Sequence, residues 1–255
     1  MAKVISFANH KGGVGKSTAV VTLAGIFAER GKKVLLVDMD AQANLTKHLS
    51  EENFDDKEVA TIYTAFKDRK SLPVYTIETE GHPSIDLVPS TIYMAGVDLL
   101  LAQVRTAKEA VLKKLLKPLR DEYDYIFLDC PPALGDVVVN AFTASDFVVV
   151  PMTTDVYAFY GIELLLQTVE EVQENSNANL QIAGIFYNRY ENRTNISKAI
   201  ESTIQEQHLT VLNSVIRVDK TLREAPAVHL PASFLDPKCR AVQDFNKLAD
   251  EIEVL

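Results

Sequence analysis

Short apolar runs alternate with longer amphipathic stretches along the chain, and the alternation predicts a parallel sheet covered by helices. Val4-Ile5-Ser6-Phe7-Ala8, Lys33-Val34-Leu35-Leu36-Val37 and Asp146-Phe147-Val148-Val149-Val150-Pro151 are rich in β-branched and apolar residues, the pattern of strands buried on both faces. Residues 85–90, 125–129 and 180–187 read the same way. Helical patterns lie between them over residues 19–31, 92–104, 107–119, 135–142, 157–174 and 191–208, and a last one runs to Ile252. Gly31 is the expected stop of the first. This alternation predicts one α/β domain, residues 1–255, on a doubly wound and mostly parallel sheet. Residues 51–58 read as a solvated acidic loop before a short amphipathic helix near residues 59–66.

Composition changes this picture little. With 47% hydrophobic and 24% charged residues the chain suits a globular protein. No run approaches the ~18 apolar residues needed to span a membrane, and Met1-Ala2-Lys3 leads straight into a strand, so neither a signal peptide nor a membrane span is expected. Cys130 and Cys239 are the two cysteines, too few for a disulfide framework or a metal site. A reducing cytoplasm is the expected compartment. The net charge of −9 argues against general affinity for nucleic acid. Locally the sign turns, with 8 basic against 6 acidic residues from Arg189 to Arg240.

The candidate chemistry begins at Lys11-Gly12-Gly13-Val14-Gly15-Lys16-Ser17-Thr18, between the first strand and the first helix. Strand, glycine loop and helix make the context that a phosphate-binding loop requires. The glycines let successive N–H groups turn toward phosphate oxygens, and the helix N-terminus adds partial positive charge. Lys16 supplies a full charge for β- and γ-phosphates, and the Ser17 hydroxyl is the expected magnesium ligand. Ligand chemistry in parallel sheets gathers at the carboxyl ends of strands. That brings in Asp38 and Asp40 after the second strand and Asp129 at the end of Tyr125-Ile126-Phe127-Leu128-Asp129. The last matches a Walker B strand, whose carboxylate holds magnesium.

Lys11, a second lysine at the first position of the loop, resembles the deviant Walker A of the ParA/MinD family, P-loop NTPases of the SIMIBI-like class. Asp129-Cys130-Pro131-Pro132 resembles that family's switch II, and Asp38-Met39-Asp40-Ala41-Gln42-Ala43-Asn44 its Asp-x-Asp-Pro-Gln-Gly-Asn. Ala41 and Ala43 replace the usual proline and glycine. Both favour helix over turn, so a more helical or less mobile switch I, running through Thr46, is expected. The resemblance implies ATP and Mg2+ as cofactors and a homodimer in which Lys11 reaches the partner's phosphates. It implies that Asp40 positions the attacking water and that Asp38 supports the magnesium shell. Asp40 could instead cap the segment after it. Asn188 matches the residue that reads the adenine edge, with a plain turn role as the alternative. Cys130 is expected to fill a small buried space, and His10 to lie beside the loop without a catalytic role.

The output is read from the last third. Arg193-Thr194-Asn195 resembles the family's Arg-Thr-Asn, whose arginine belongs to a non-specific DNA-binding surface. Arg217, Lys220 and Arg223 fall at i, i+3 and i+6, which places them along one side of a helix, suited to phosphate contact or simply solvated. Lys113, Lys114 and Lys117 lie over Leu112, Leu115, Leu116 and Leu119, first a solvated face and only second a DNA or partner contact. The closing Ala249-Asp250-Glu251-Ile252-Glu253-Val254-Leu255 is acidic, whereas the membrane-anchored branch needs a basic amphipathic helix, so no membrane partner is expected. The resemblance implies a cytoplasmic, nucleoid-associated ATPase that partitions a plasmid, chromosome or mobile element. Non-specific DNA and a ParB-like centromere-binding protein are its implied partners. Two rivals share the engine: a cargo-positioning or membrane-patterning ATPase, and a metabolic ligase such as a biotin- or cobalamin-pathway synthetase.

Overall fold

An eight-stranded sheet runs through the computed structural model, which describes residues 1–153, 156–190 and 209–255, with main chain alone for 156–160. Its strands are β1 Lys3–Phe7, β2 Val34–Asp38, β3 Tyr75–Ile77, β4 Ile85–Val88, β5 Tyr125–Asp129, β6 Phe147–Met152, β7 Gln181–Tyr190 and β8 Val211–Arg217. They are ordered β3-β4-β2-β5-β1-β6-β7-β8, and every described pairing is parallel except β3 with β4. The doubly wound expectation holds.

Both faces are covered. Val4, Val37, Leu128 and Val150 point into one core, closed by α3 Ile62–Asp68, α4 Val97–Ala102, α5 Val111–Leu116, α6 Asp136–Ala144 and α7 Val156–Asn175. The alternate residues Ile5, Phe7, Leu36 and Phe127 point into the other. That core is closed by α1 Lys16–Glu29, α2 Asn44–Leu49, α9 Ala232–Leu235 and α10 Arg240–Glu253, with the single turn α8 Thr221–Glu224 beside it. Phe127 sits edge-on to Phe7 at 5.4 Å and to Phe27 of α1 at 5.6 Å. Helix α1 is buried almost along its whole length, so packing rather than amphipathicity holds it. It passes so close to α9 that a Cβ on Gly25 would lie 2.3 Å from Ser233 Oγ and 2.7 Å from Pro231 Cβ.

Three expectations need correction. The helices expected over 92–104 and 107–119 are short α-helical cores flanked by 3-10 turns. Gly96, the left-handed Ala107 and Pro118 supply the breaks. Strands β3 and β8 have no counterpart among the expected elements. The Ala41–Ala43 region has not become helix: Ala43 holds a left-handed φ of 52° and α2 starts only at Asn44. A Cβ in that conformation costs about 1 kcal/mol, which the hydrogen bonds around Asp38 offset. The helix expected over 191–208 lies outside the described residues.

Candidate active site

The register of the central strands places the acidic groups. Asp129 is paired with Phe7 on one side and with Asp38 on the other, so two carboxylates stand next to each other where β1 turns into the glycine loop. Both side chains are buried, Asp38 at 0% and Asp129 at 1% exposure. Asp38 is fully engaged: Oδ1 accepts from the Asp40 N–H at 3.1 Å, and Oδ2 from the Thr46 N–H at 2.9 Å and its hydroxyl at 2.7 Å. Asp129 differs. Among the described residues neither of its oxygens has a hydrogen-bond donor in bonding geometry.

Burial is the largest influence on this pair. It raises the pKa of both carboxyls, and each is raised further by another carboxylate, Asp129 by Asp38 and Asp38 by Asp40. The nearby Ser17 hydroxyl and Lys16 pull Asp129 the other way. Lys16 is 8% exposed, and its ammonium donates to the carbonyls of Asn9 and Lys11 at 3.3 and 3.4 Å. Burial lowers its pKa, opposed by Asp129, Cys130 and Asp40 in that order. A buried carboxylate without donors, beside a hydroxyl and an ammonium, is a poor resting place for a proton-free acid unless a cation compensates it. The hard oxygens of Asp129 and the Ser17 hydroxyl fit magnesium, while the oxygens of the neighbouring Asp38 are taken by Asp40 and Thr46.

The loop is built for a phosphate chain. Gly13 and Gly15 take φ of 75° and 84°, and Gly15 caps α1 without any side-chain acceptor, which leaves the first N–H groups of the helix facing outward. A Cβ on Gly15 would also meet Asn188 Nδ2 at 2.5 Å. A cavity of about 540 Å³ opens from this loop, a volume suited to a nucleotide-sized ligand. Gly12, Gly13, Gly15, Lys16, Ser17 and Thr18 line it, together with Asp40, Gln42 and Asn44 and with Val218, Asp219, Leu222 and Arg223. The buried Val14 lies behind the loop.

Most of the expected residues converge here, with differences. Asp40 faces the cavity and also caps the turn after it, since Oδ1 accepts from the Gln42 N–H at 2.9 Å. Asn188 lines the cavity, but its Nδ2 donates to Val14 O at 2.9 Å and its Oδ1 accepts from the Arg189 N–H. In this conformation the carboxamide braces the loop. Lys11 is half-buried, and its N–H donates to Asn9 Oδ1 at 2.9 Å. His10 bridges the loop to the turn after β5 through Nδ1 and Pro132 O at 3.1 Å. Cys130 is fully buried, and burial pushes its thiol up to about 12.

The basic stripe is not one. Arg217 ends strand β8 instead of starting a helix, and its guanidinium is clamped on Asp244 at 2.7 and 2.8 Å. Lys220 precedes α8 and pairs with Glu224 at 3.9 Å, while Arg223 lines the cavity. The strand consumes the residues that the helical spacing needed. Arg193 lies outside the described residues.

Sequence reasoning missed a second layer. Ser90, at the end of β4, donates from Oγ to Asp40 O at 2.7 Å, and its N–H donates to Thr46 Oγ1 at 2.9 Å. It thereby ties the segment carrying Asp40 to the sheet. Its place at a strand's carboxyl end was the available signal. Arg189 Nη1 donates to Gly13 O at 3.2 Å, and nothing in the sequence pointed to it.

Comparison with known proteins agrees with the geometry. A family profile described as an AAA domain matches residues 2–182. The chain is 37% identical to the sporulation initiation inhibitor protein Soj of Bacillus subtilis, over 99% of this chain and 98% of that one. It is 34% identical to the chromosome-partitioning ATPase Soj of Treponema pallidum, over 99% and 97% of the two. Among solved structures, cobyrinic acid a,c-diamide synthase from Mycobacterium smegmatis, with bound ATP analog and magnesium, superposes with a TM-score of 0.84 at 28% identity, over 98% of this chain and 93% of the other.

Proposed function

The chain belongs to the Soj/ParA family of partition ATPases, and on that premise we propose that it is a Mg2+-dependent ATPase that segregates DNA and hydrolyses ATP only as a pair of copies. The observation that supports this best is the buried carboxylate of Asp129, which among the described residues has no donor in bonding geometry, beside Lys16 and the glycine loop. Asp129 and the Ser17 hydroxyl would hold Mg2+, with Asp38 behind them; the ion would neutralise charge on the phosphate oxygens. The loop N–H groups and Lys16 bind and orient the β- and γ-phosphates. Asp40, held by Ser90 and Gln42, orients the attacking water, and the wall at Val218 and Leu222 receives the base. Lys11 completes the site of the second copy, a trans cation of the kind worth ~10³–10⁵ in rate in other phosphoryl-transfer enzymes. The paired form binds DNA non-specifically, and a ParB-like partner stimulates hydrolysis and releases it.

Size exclusion and DNA binding with ATP, ADP and no nucleotide test this reading on wild type and Asp40→Ala. The variant is expected to be trapped with ATP as a DNA-bound dimer; a variant that stays monomeric with ATP would contradict it. The likeness to the diamide synthase supports a second reading, a metabolic synthetase on the same fold. That enzyme would have no use for Lys11, so full turnover by Lys11→Gln would favour it.

A further inference from the structure

Strand β7 is irregular where it passes the glycine loop. Tyr187 pairs with Val215 of β8 and Tyr190 with Arg217, so β7 advances three residues where β8 advances two. The extra residue makes a bulge, and Asn188 and Arg189 lie in it. Arg189 holds a φ of 56°, a conformation that a residue with a Cβ avoids. Among the described residues Ala43, Arg69, Ala107 and His229 share it, and each of these caps a helix or a 3-10 turn. Arg189, by contrast, lies within a strand. Its side chain is exposed, so burial of the side chain does not explain the conformation.

The contacts do. Neighbouring side chains of a regular strand point to opposite faces. Here both reach the same loop: Asn188 Nδ2 donates to Val14 O at 2.9 Å, and Arg189 Nη1 donates to Gly13 O at 3.2 Å. Asn188 Oδ1 accepts from the Arg189 N–H at 2.9 Å, which fixes the kink. Two consecutive loop carbonyls are therefore held from β7. A peptide unit is planar and trans, so a carbonyl held on one side directs the N–H of the same unit to the other. The Gly13 carbonyl shares its unit with the Val14 N–H, one of the groups that such a loop presents to phosphate. Gly12 and Gly13 have open space where a Cβ would stand, and glycine is the residue most free to turn. On its glycine side, then, the Gly13–Val14 peptide is set by a hydrogen bond and not by packing.

We infer, resting on the reading of this cavity as an ATP site, that Arg189 is a positioning residue for the nucleotide. The β7 bulge aims its guanidinium at Gly13 O, and through that bond Arg189 holds the Gly13–Val14 peptide ready for the phosphate chain. The contact offsets the cost of the left-handed backbone.

The test is isothermal titration of a non-hydrolysable ATP analogue with Mg2+ over a salt series, beside thermal melting without nucleotide. It compares wild type, Arg189→Gly and Arg189→Lys. Glycine relieves the backbone and removes the side chain. Arg189→Gly is therefore expected to melt at or above the wild-type temperature and yet to bind the analogue about tenfold more weakly, the worth of one hydrogen bond from a charged donor. Its salt dependence is expected to run parallel to that of wild type, because Gly13 O and not a phosphate receives the guanidinium. Arg189→Lys keeps a charged donor on a long stem and is expected to recover part of the affinity. Wild-type affinity in Arg189→Gly would overturn the inference and leave the ATP site standing. A shallower salt dependence in that variant would also overturn it, by making Arg189 a direct, salt-screened phosphate contact. A lowered melting temperature would overturn it as well, by making the bond a brace of the fold. A wild type that binds no analogue would overturn both the inference and the ATP site.

Discussion

Asp129 stands beside Asp38 in register on adjacent parallel strands, yet among the described residues Asp38 accepts three hydrogen bonds and Asp129 has no donor in bonding geometry. The asymmetry assigns different work to two identical groups. Asp38 is a strut that holds the backbone of Asp40 and Thr46. Asp129 leaves its oxygens available to the proposed Mg2+.

Replacing Asp129 by Asn should separate function from stability. Magnesium-dependent hydrolysis should fall by at least about 100-fold, as for loss of a metal clamp on phosphoryl transfer. Without magnesium the variant should melt at or above the wild-type temperature, because an uncompensated buried carboxyl is gone. Calorimetry with and without Mg2+ reads the stability and a turnover assay the rate; a large loss of stability without the metal would contradict the assignment.

Thr46 holds Asp38 and is held by Ser90. Thr46→Val keeps the shape and removes the hydroxyl, stranding the Ser90 N–H and one acceptor site on Asp38. A loss of about 1–3 kcal/mol is expected. The rate should drop with it, since Asp40 is positioned through the same segment, and urea denaturation beside turnover at saturating ATP measures the two.

Gly15→Ala should fail twice over. The residue sits at a φ of 84°, and its new Cβ would meet Asn188 Nδ2 at 2.5 Å. ATP affinity should fall at least tenfold, and Asn188→Ala in the same chain should restore part of it by vacating the space. Isothermal titration of the single and double variants checks this; no rescue would mean that the backbone conformation alone is responsible.

His48 predicts an acid limit. It lies 3% exposed in α2, with Nε2 2.9 Å from Leu230 O. Burial and the nearby His229 depress its pKa from 6.5 to about 4, against the carbonyl contact that raises it. The unfolded chain therefore binds the proton first as pH falls. Stability is complete above pH 6.5 and declines toward pH 4, by at most about 3 kcal/mol from this group. His48→Gln should flatten that part of the stability–pH curve, measured by chemical denaturation; an unchanged slope would place the sensitivity elsewhere.

The fold was legible wherever burial was two-sided. Strands β1, β2, β5 and β6 are continuous apolar runs, and their expected ends agree with the structure to within one residue. Strand β3 has only three residues, none of them fully buried, and so left no pattern. Strand β8 alternates buried and exposed positions, yet its last residue, Arg217, also fits a helical spacing of cations, and local spacing carries no information about Asp244, 27 residues away. The site divides in the same way. The glycine loop, Asp38 and Asp129 were readable because each follows a strand directly. Ser90, Arg189 and Asp219 join only through the folded sheet.

In the proposed mechanism one copy binds ATP but needs the lysine of another to cleave it, and mixing Lys11→Ala with Asp40→Ala protein puts that dependence to trial. Each variant is expected to be nearly inactive alone. In a mixed dimer the Lys11→Ala subunit receives an intact Lys11 while keeping its own Asp40. Turnover should therefore reappear on mixing and peak near equal proportions. Turnover by Lys11→Ala alone at the wild-type rate, or no recovery in a mixture shown to form heterodimers with ATP, would contradict cleavage in trans.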